Sequence, residues 1–339
     1  MKLIKTEDAV GHVLCHDMTQ IIKDQYKDAR FRKGHVVTEE DIPVLLSMGK
    51  EHLYVWEMTS GMVHENDAAE RLLALCGQEN MIRSGVKEGK IELKAACDGV
   101  FLVDSARLVA VNSQDEVMIA TRKGGMAVRR SDKLAGMRVI PLIIEEEKLR
   151  KAEQAAGDKP LLSLKPYVRK TACIVATGGE VKKGLIKDTF TPIVIDKLKT
   201  YGIETLEVVY SGDGVENVRD AVLTMREKKP DMILCTGGMS VDPDDNTPGG
   251  IKAAGANIIA YGAPVLPGAM FLLGYFDDGM PVMGLPGCVM YAGATVFDLV
   301  LPKIAADVPV TRADLAALGE GGLCLGCKPC HYPICPFGK

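Results

Sequence analysis

The feature that most constrains the fold is a regular alternation of strand-like and helix-like segments in the second half of the chain, beginning at Thr171. The strand-like runs are TACIVAT, TLEVVY, DMILCT and PVMGL, and helices are predicted at 191–200, 215–228 and 289–304. Such alternation is typical of a parallel sheet with helices on both faces, which binds ligands at the carboxyl ends of its strands. The sequence therefore predicts an α/β fold for this part of the protein.

The first half of the chain lacks this regular alternation, and its residue pattern predicts two smaller domains. Its opening segment combines a helix expected near 39–48 with the short strand LYVW, whereas from Ser84 onward short β-rich runs are separated by Gly, Asp and Asn. A charged, alanine-rich run after Ile144 could form a short helix but is most simply a solvated connector. The expected division is a mixed α/β domain at 1–83, a β-rich domain at 84–150, a linker at 151–167, the α/β domain at 168–309 and a tail at 310–339.

Charge and hydropathy narrow the range of partners. The chain carries 41 Lys plus Arg against 45 Asp plus Glu, and the resulting charge of −4 argues against a nucleic-acid partner. Glu7 and Asp8 interrupt any apolar segment of a secretory signal, so we expect a cytoplasmic protein. Residues 281–301 are almost uncharged, but Gly284 and Pro286 break the run, so we expect a strand, a turn and a helix and no membrane partner.

Three glycine-containing turns follow predicted strands. They are ATGGE at 176–180, CTGGMS at 235–240 and GLPGC at 284–288. Glycine lets a ligand approach the backbone, and the hydroxyl groups of Thr177, Thr236 and Ser240 are additional hydrogen-bond donors. Because the carboxyl ends of parallel strands meet at one edge of a sheet, the turns predict a phosphate-binding site, although none matches a dinucleotide fingerprint or a P-loop.

Carboxylates cluster around the same predicted edge. Asp213 follows the second strand, and the third is followed by SVDPDDNTP, which contains Asp242, Asp244 and Asp245. Mg²⁺ is commonly held by one or two carboxylates together with substrate phosphates, so Asp213, Asp242 and Asp245 are candidate Mg²⁺ ligands. The alternative is an Asx-rich turn that caps a helix starting near Pro248, without a metal.

Taken together, these motifs resemble the molybdopterin-binding domain shared by MogA-type adenylyltransferases and MoeA-type molybdotransferases. The resemblance covers roughly residues 170–307 and rests on TGGE, SGDG, D-x-x-x-x-TGG-x-S, DNTP, LPG and GLPG, in the family's order. Two fragments near the N-terminus, TEDAVGHVLCHD and FRKGHVVTEEDIPVLLSMG, are also similar to MoeA-type proteins. Residues 84–150 resemble no domain of that family.

The resemblance implies a three-layer α/β/α domain that binds the phosphate of a pterin dithiolene. Related members either adenylylate this ligand or insert molybdate into it with loss of AMP, and by analogy the protein is expected to be a homodimer. By motif, Asp213 and Asp245 correspond to functional aspartates that position Mg²⁺ and the phosphates. The residues that the resemblance places at the cofactor are Thr177, Gly178, Gly179, Glu180, Ser211, Gly212, Thr236, Gly237, Gly238, Met239, Ser240, Thr247, Pro267, Gly268, Leu285, Pro286, Gly287 and Cys288.

Two departures from the family pattern leave the activity open. Neutral residues from Leu266 to Met270 replace lysines that flank a Pro-Gly, and Cys288 and Val289 replace an Asn-Pro pair. One hypothesis is a MoeA-type enzyme that processes molybdopterin or its AMP conjugate with Mg²⁺ and molybdate. The other is a non-catalytic carrier or maturation factor that delivers the finished cofactor to a client molybdenum enzyme. A structural module that has lost the site is the third hypothesis.

The last sixteen residues contain four cysteines, Cys324, Cys327, Cys330 and Cys335, in the spacing C-x2-C-x2-C-x4-C. Four thiolates this close together can hold tetrahedral Zn²⁺ or a [4Fe-4S] cluster, and His331 could replace one of them. The alternative is a flexible tail with reduced thiols or adventitious disulfides. Because prolines prevent a helix here, we expect the segment to be ordered by its ligand or not ordered at all.

Overall fold

The computed structural model describes residues 2–22, 26–55, 61–179, 185, 187–240 and 245–339. These residues form two compact units. The first unit comprises Met1–Ala96, Val103–Gly124 and Ser131–Ser163, and the second comprises Cys97–Leu102, Gly125–Arg130 and Leu164–Lys339.

The first unit is built from short strands and four helices in the described residues. In chain order, the elements up to residue 156 are β1 (Lys2–Lys5), β2 (Met18–Ile22), β3 (Tyr26–Phe31), α1 (Asp41–Ser47), β4 (His52–Val55), β5 (Met62–His64), α2 (Glu65–Leu75), β6 (Met81–Arg83), β7 (Ile91–Ala95), β8 (Gly99–Val103), α3 (Ser105–Asn112), β9 (Val117–Thr121), β10 (Met126–Val128), β11 (Lys133–Val139), β12 (Ile143–Glu145) and α4 (Glu146–Ala156). Of these, β10 and most of β8 belong to the second unit. The largest sheet of this unit has the order β6-β7-β11-β9, and β1-β4, β2-β3 and β5-β12 are antiparallel pairs.

Residues 151–156 are helical, so the expected linker at 151–167 is not a solvated connector. Leu149, Ala152 and Ala156 lie on one face of α4 and are fully or almost fully buried. The guanidinium of Arg71 on α2 donates to both carboxylate oxygens of Glu153, at 2.7 and 2.8 Å. Most positions of the run are charged, so the sequence alone does not reveal the narrow apolar face of α4. This face is recognised from its burial in the folded unit, next to α2.

The β-rich interpretation of residues 84–150 is also incomplete. The run LVAVN belongs to α3, whose start is capped by Asp104 through a hydrogen bond from the Arg107 N–H (3.1 Å). The expected boundary at 83/84 separates β6 from its antiparallel partner β7. A side-chain cap favours the helix over the strand that the β-branched residues alone suggest.

The second unit contains the predicted α/β domain. Its further elements are β13 (Leu162–Pro166), β14 (Thr171–Thr177), α5 (Phe190–Lys199), β15 (Glu204–Ser211), α6 (Val215–Glu227), β16 (Met232–Thr236), α7 (Thr247–Ala253), β17 (Asn257–Tyr261), β18 (Leu272–Tyr275), β19 (Pro281–Leu285), α8 (Val296–Ala305) and α9 (Arg312–Ala317). The unit also includes β10 and most of β8, which pair with each other and, through β8, with β13.

Six strands form one sheet in the order β15-β14-β16-β19-β18-β17, of which the first four are parallel. Alternate residues of β14 enter two separate cores. Ile174 packs in the cluster that contains α5 and α8, whereas Val175 packs in the cluster that contains α6 and α7. The domain is therefore a three-layer α/β/α sandwich, which confirms the predicted fold class.

The last long helix begins later than predicted. We expected it to start at Val289, but residues 287–290 form a 3-10 turn and α8 begins at Val296. Thr295 and Asp298 form a capping box there, in which Asp298 Oδ2 accepts from the Thr295 N–H at 2.8 Å. The cap satisfies backbone groups that are buried at this point, so it fixes the start of the helix.

The cysteine-rich tail is ordered by ordinary protein contacts. Phe337 is 2% exposed in the core of the second unit, and the Tyr332 hydroxyl donates to the Asp298 carbonyl at 3.0 Å. Leu266 and Cys324 are joined by the backbone hydrogen bond from Cys324 N to Leu266 O, at 2.8 Å. The expectation that only a bound ligand could order this segment is therefore wrong. No helix in the described ranges is both long enough and apolar enough to cross a bilayer.

Replacing Leu149 by Ala tests whether α4 is a packed helix. We expect Leu149→Ala to lower the free energy of unfolding by about 2–5 kcal/mol, because it leaves a cavity under a buried side chain. The exposed Lys151→Ala on the same helix is the control and should change stability by less than about 0.5 kcal/mol. Urea unfolding followed by circular dichroism measures both, and near-equal small effects would restore the connector interpretation.

Candidate functional site

The candidate site lies where the strand order of the sheet reverses. β14 is flanked by β15 on one side and β16 on the other, so the chain leaves β14 in one direction and returns in the other. A crevice forms at the carboxyl ends of strands at such a point. Thr177 and Thr236 are the last residues of β14 and β16, and thus both predicted Gly-Gly loops start at this crevice.

Buried hydroxyl groups tie the two loops together. Thr177 Oγ1 donates to the Thr236 carbonyl at 2.9 Å, and Thr247 Oγ1 donates to the Gly237 carbonyl at 2.9 Å. The two hydroxyl oxygens are 3.1 Å apart, and both side chains are nearly inaccessible to solvent. The hydroxyls of Thr177 and Thr247 therefore hold the two loops together, and the ligand contacts expected of these residues stay a prediction.

The glycines after β16 serve the same close packing. Gly237 and Gly238 have φ angles of +82° and +56°. A Cβ at Gly237 would collide with the Thr177 carbonyl, and one at Gly238 would lie 2.6 Å from Thr247 Oγ1. Glycine is required here because one loop presses against the other, a reason that differs from the ligand approach expected from the sequence.

The two candidate catalytic aspartates each bind a backbone N–H beside the crevice. Asp213 Oδ2 accepts from Gly179 N at 3.0 Å, and Asp245 Oδ2 accepts from Ser240 N at 3.0 Å. Asp213 thereby links the loop after β15 to the loop after β14. An ionised carboxylate has about four acceptor positions, so each retains capacity for a cation or a further donor.

Two tyrosines that the sequence analysis did not select support the same loops. The Tyr261 hydroxyl donates to the Met239 carbonyl at 2.8 Å, and the Tyr210 hydroxyl donates to Asp188 Oδ2 at 3.2 Å. Burial and the charge of Asp245 raise the pKa of Tyr261. Tyr261 ends β17, a strand that the sequence does not predict, so no pattern in the sequence places this residue at the site.

Asp188 fixes the start of α5. Its Oδ1 accepts from the N–H groups of Phe190 and Thr191, at 2.9 and 3.0 Å. Burial alone would raise the pKa of Asp188, but the hydrogen bonds from Thr191, Phe190 and Tyr210 outweigh burial and lower it. The residue is therefore held as a carboxylate directly before α5.

Several of the residues that the resemblance places at the cofactor also pack closely within the domain. The Met239 sulfur lies 2.5 Å from the position of a Cβ on Gly284, and Leu285 is completely buried. A Cβ on Gly268 would lie 2.6 Å from Val296 Cγ1, so this glycine is needed for the approach of its loop to α8. These residues allow segments of the domain to pack closely against one another.

The turn after β19 is more open. Gly287 is exposed and has nothing within 4 Å of a Cβ position, and Cys288 is half-buried. Burial raises the pKa of the Cys288 thiol, and a hydrogen bond from its own backbone N–H partly offsets this. Backbone at Gly287 is therefore accessible to a ligand. Glu180, Asp242 and Asp244 lie outside the described residues.

No metal centre is assembled by the residues that the structure describes, since no three His, Cys, Asp or Glu side chains converge. Cys327 and Cys330 are exposed, whereas Cys324 and Cys335 are half-buried against the core of the second unit. In the described residues the predicted four-thiolate site for Zn²⁺ or a [4Fe-4S] cluster is therefore not assembled. Cys324 and Cys335 pack against the core, and Cys330 contacts Gly293.

A cavity of about 590 Å³ lies away from these loops. Its lining includes Ile195 and Lys199 of α5 and Leu206 and Val208 of the edge strand β15. The crevice, and not this cavity, combines the glycine loops with the carboxylates of Asp213 and Asp245.

Comparison with known families agrees with the geometry of the second unit. Residues 173–306 match the model of a family described as a probable molybdopterin binding domain. This segment includes the crevice and all three loops. Residues 3–57 match a family described as a domain of unknown function. The match to the probable molybdopterin binding domain covers less than half of the chain and does not extend to the first unit.

Individual relatives cover only part of the chain. A CinA-like protein of Mycobacterium tuberculosis is 33% identical over 76 residues, which are 22% of this chain and 18% of that protein. The chain thus spans less than a fifth of the length of this curated relative. A molybdopterin biosynthesis enzyme MoaB from Thermus thermophilus is 16% identical over 42% of this chain and 98% of its own, with a TM-score of 0.36. A molybdenum cofactor biosynthesis protein from Pyrococcus furiosus is 13% identical over 93% of this chain and 64% of its own, with a TM-score of 0.27.

The hydroxyl brace is tested by changing Thr247. We expect Thr247→Val to lower the free energy of unfolding by about 1–3 kcal/mol, because it leaves the buried Gly237 carbonyl without its donor. Thr247→Ser keeps the hydroxyl and should stay within about 1 kcal/mol of the unchanged protein. Urea unfolding separates the two, and equal destabilisation would show that the methyl group matters more than the hydroxyl.

The close approach of the loops is tested at Gly237. Gly279 has a similar φ of +79° but no atom within 4 Å of a Cβ position, which makes Gly279→Ala a matched control for backbone strain. We expect Gly279→Ala to cost about 1–2 kcal/mol for the left-handed conformation. Gly237→Ala should cost about 1–3 kcal/mol more because of the collision with Thr177. Equal melting temperatures for the two variants would contradict the tight packing.

Proposed function

We propose that the second unit binds molybdopterin through its phosphate at the crevice between β14 and β16, and processes the AMP conjugate of this ligand with Mg²⁺. The observation that carries the proposal is the junction itself. Two glycine loops are locked against each other by Thr177 and Thr247, with Asp213 and Asp245 hydrogen-bonded at its sides. A rigid backbone cradle flanked by carboxylates suits a phosphate ligand that arrives with a cation.

The described donor set fits Mg²⁺. Asp213 and Asp245 offer oxygen ligands, which Mg²⁺ prefers. Proteins commonly bind this ion through one or two carboxylates together with substrate phosphates, and do not need to supply all of its ligands. When bound, Mg²⁺ would supply neutralisation of charge on the phosphate oxygens. The hydrogen bonds from Gly179 and Ser240 fix the orientation of both carboxylates beforehand.

The protein's own groups then position the ligand. The hydroxyls of Thr177 and Thr247 are hydrogen-bonded within the loops. The ligand would therefore be bound by backbone groups and by the open turn at Gly287. Tyr261 holds the backbone at Met239 in place. Pre-organised groups of this kind avoid an ordering cost when the ligand binds.

A second candidate function is a carrier that delivers the finished cofactor to a client molybdenum enzyme. The observation that favours it is the loop where MoeA-type proteins have lysines: here Leu266 is neutral and is hydrogen-bonded to Gly322 and Cys324 of the tail. A tetrahedral dianion such as molybdate gains nothing from this loop. Molybdate insertion, a homodimer and a cytoplasmic location remain predictions.

Substitution of the aspartates distinguishes the two functions. We expect Asp245→Asn and Asp213→Asn to lower the rate of AMP release from adenylylated molybdopterin by about a hundredfold or more, because charge stabilisation at the phosphate is lost. Binding of molybdopterin without Mg²⁺ should change little, because an amide oxygen can still accept the backbone N–H. Isothermal titration and an AMP-release assay with molybdate measure these quantities.

Asp220→Asn, at an exposed position of α6, is the control and should leave both binding and release unchanged. Full activity of Asp245→Asn would exclude the enzyme mechanism. Tight binding by the unchanged protein, with no release of AMP, would establish the carrier. Absence of any binding would refute both.

A further inference from the structure

Two cysteines of the tail differ from the other eight. Cys327 and Cys330 are exposed, whereas the remaining thiols are buried or half-buried. For comparison, burial raises the pKa of both Cys76 and Cys235 to about 12, so these thiols are poorly ionised as well as shielded. The accessible pair is separated by only two residues, a spacing that allows a disulfide within one short loop.

Cys330 contacts the turn that follows the open end of β19. Its sulfur lies 2.7 Å from the position of a Cβ on Gly293, so the thiol occupies the space that any larger residue would need. The Ala292 N–H donates to the Cys288 carbonyl at 2.9 Å. The tail thiol therefore rests on a compact turn, here called the Cys288 turn (residues 288–293), which begins at the candidate site.

The tail also contacts a second loop at the same edge of the sheet. Leu266 N donates to Gly322 O and Cys324 N donates to Leu266 O, each at 2.8 Å. Leu266 lies in the loop between β17 and β18, and β18 starts beside the carboxyl end of β19. One short segment thus holds two loops of the candidate site.

We propose that Cys327 and Cys330 form a reversible dithiol–disulfide pair, and that its oxidation releases the Cys288 turn. A disulfide requires a sulfur–sulfur distance of about 2.05 Å. Both thiols are unbonded in the structure, and Cys330 packs against Gly293. Bond formation must move at least one of the two sulfur atoms, and a movement of the Cys330 sulfur changes its contact with Gly293.

The reaction balances with a small disulfide such as oxidised glutathione as oxidant. One thiolate of the pair attacks a glutathione sulfur, which forms a mixed disulfide and releases one glutathione thiolate. The second cysteine then attacks the protein sulfur of the mixed disulfide and displaces the other glutathione. The protein pair loses two electrons, and oxidised glutathione is reduced to two thiols, which take up the two protons.

The first test uses the full chain in glutathione buffers of increasing oxidised fraction, followed by alkylation and peptide mass spectrometry. We expect Cys327 and Cys330 to lose reactivity together, to appear in one internally linked peptide, and to recover on reduction. Cys327→Ser should abolish the link. Separate glutathione adducts on the two cysteines, or thiols that stay reduced in fully oxidised buffer, would overturn the proposal.

The second test measures hydrogen exchange of the Cys288 turn. Oxidation should increase the exchange rate of the Ala292 amide by about fivefold or more, the lower end of typical coupling between sites. Cys327→Ser keeps Cys330 against Gly293 and should remove this response, and Gly293→Ala should reproduce it in the reduced protein by displacing the thiol. An oxidised protein with unchanged exchange would refute the coupling while leaving the disulfide established.

The effect on ligand binding rests on the proposed function. If that function holds, oxidation should raise the Kd for molybdopterin by about fivefold or more in the unchanged protein, and have no effect in Cys327→Ser. An unchanged Kd after oxidation would overturn regulation of the site. If the reduced protein does not bind molybdopterin at all, the proposed function fails, and the mass-spectrometric and exchange results still decide the redox pair.

Discussion

The hydrogen bond from Thr177 to the Thr236 carbonyl joins two adjacent strands at the point where the sheet reverses its order. Because the bond is buried, breaking it would leave a polar group without a partner, which is more costly than the bond itself is favourable. Thr247 extends the junction by donating to Gly237. The loops are held so closely that a side chain at Gly237 would strike the backbone of the other loop.

The chemistry available at the site follows from this junction. Since the buried hydroxyls are committed to the protein, the groups left for a ligand are backbone atoms, the exposed Gly287 and the remaining acceptor positions of Asp213 and Asp245. Such a site is rich in oxygen acceptors. The loop at Leu266, which lies within the described residues, has no Lys or Arg side chain that could bind an anion. The proposed phosphate ligand, accompanied by its own divalent cation, would satisfy both conditions. The tail contacts the same region through Leu266 and Gly293, so it is packed against loops at this edge of the sheet.

Sequence reasoning succeeded where local pattern and final structure agree. β14 and β19 have the predicted limits, and α6 differs by one residue, because continuous apolar runs and long periodic helices are strong signals. It failed at α4, where three apolar residues among many charges gain their significance only from burial against the rest of the first unit. The predicted start of α8 at Val289 is wrong because the capping box of Thr295 and Asp298 sets the start at Val296.

The sequence by itself determined the α/β class, the position of the glycine loops and the identity of the aspartates beside them, because these depend on residue type and order along the chain. The tertiary structure decided what each group does. Thr177 and Thr247 face the protein, Tyr261 reaches the loop at Met239, and Cys330 lies on Gly293, each through contacts between segments distant in sequence. Hydrogen bonds and van der Waals contacts act over a few ångströms, and only the folded chain brings such segments within that range.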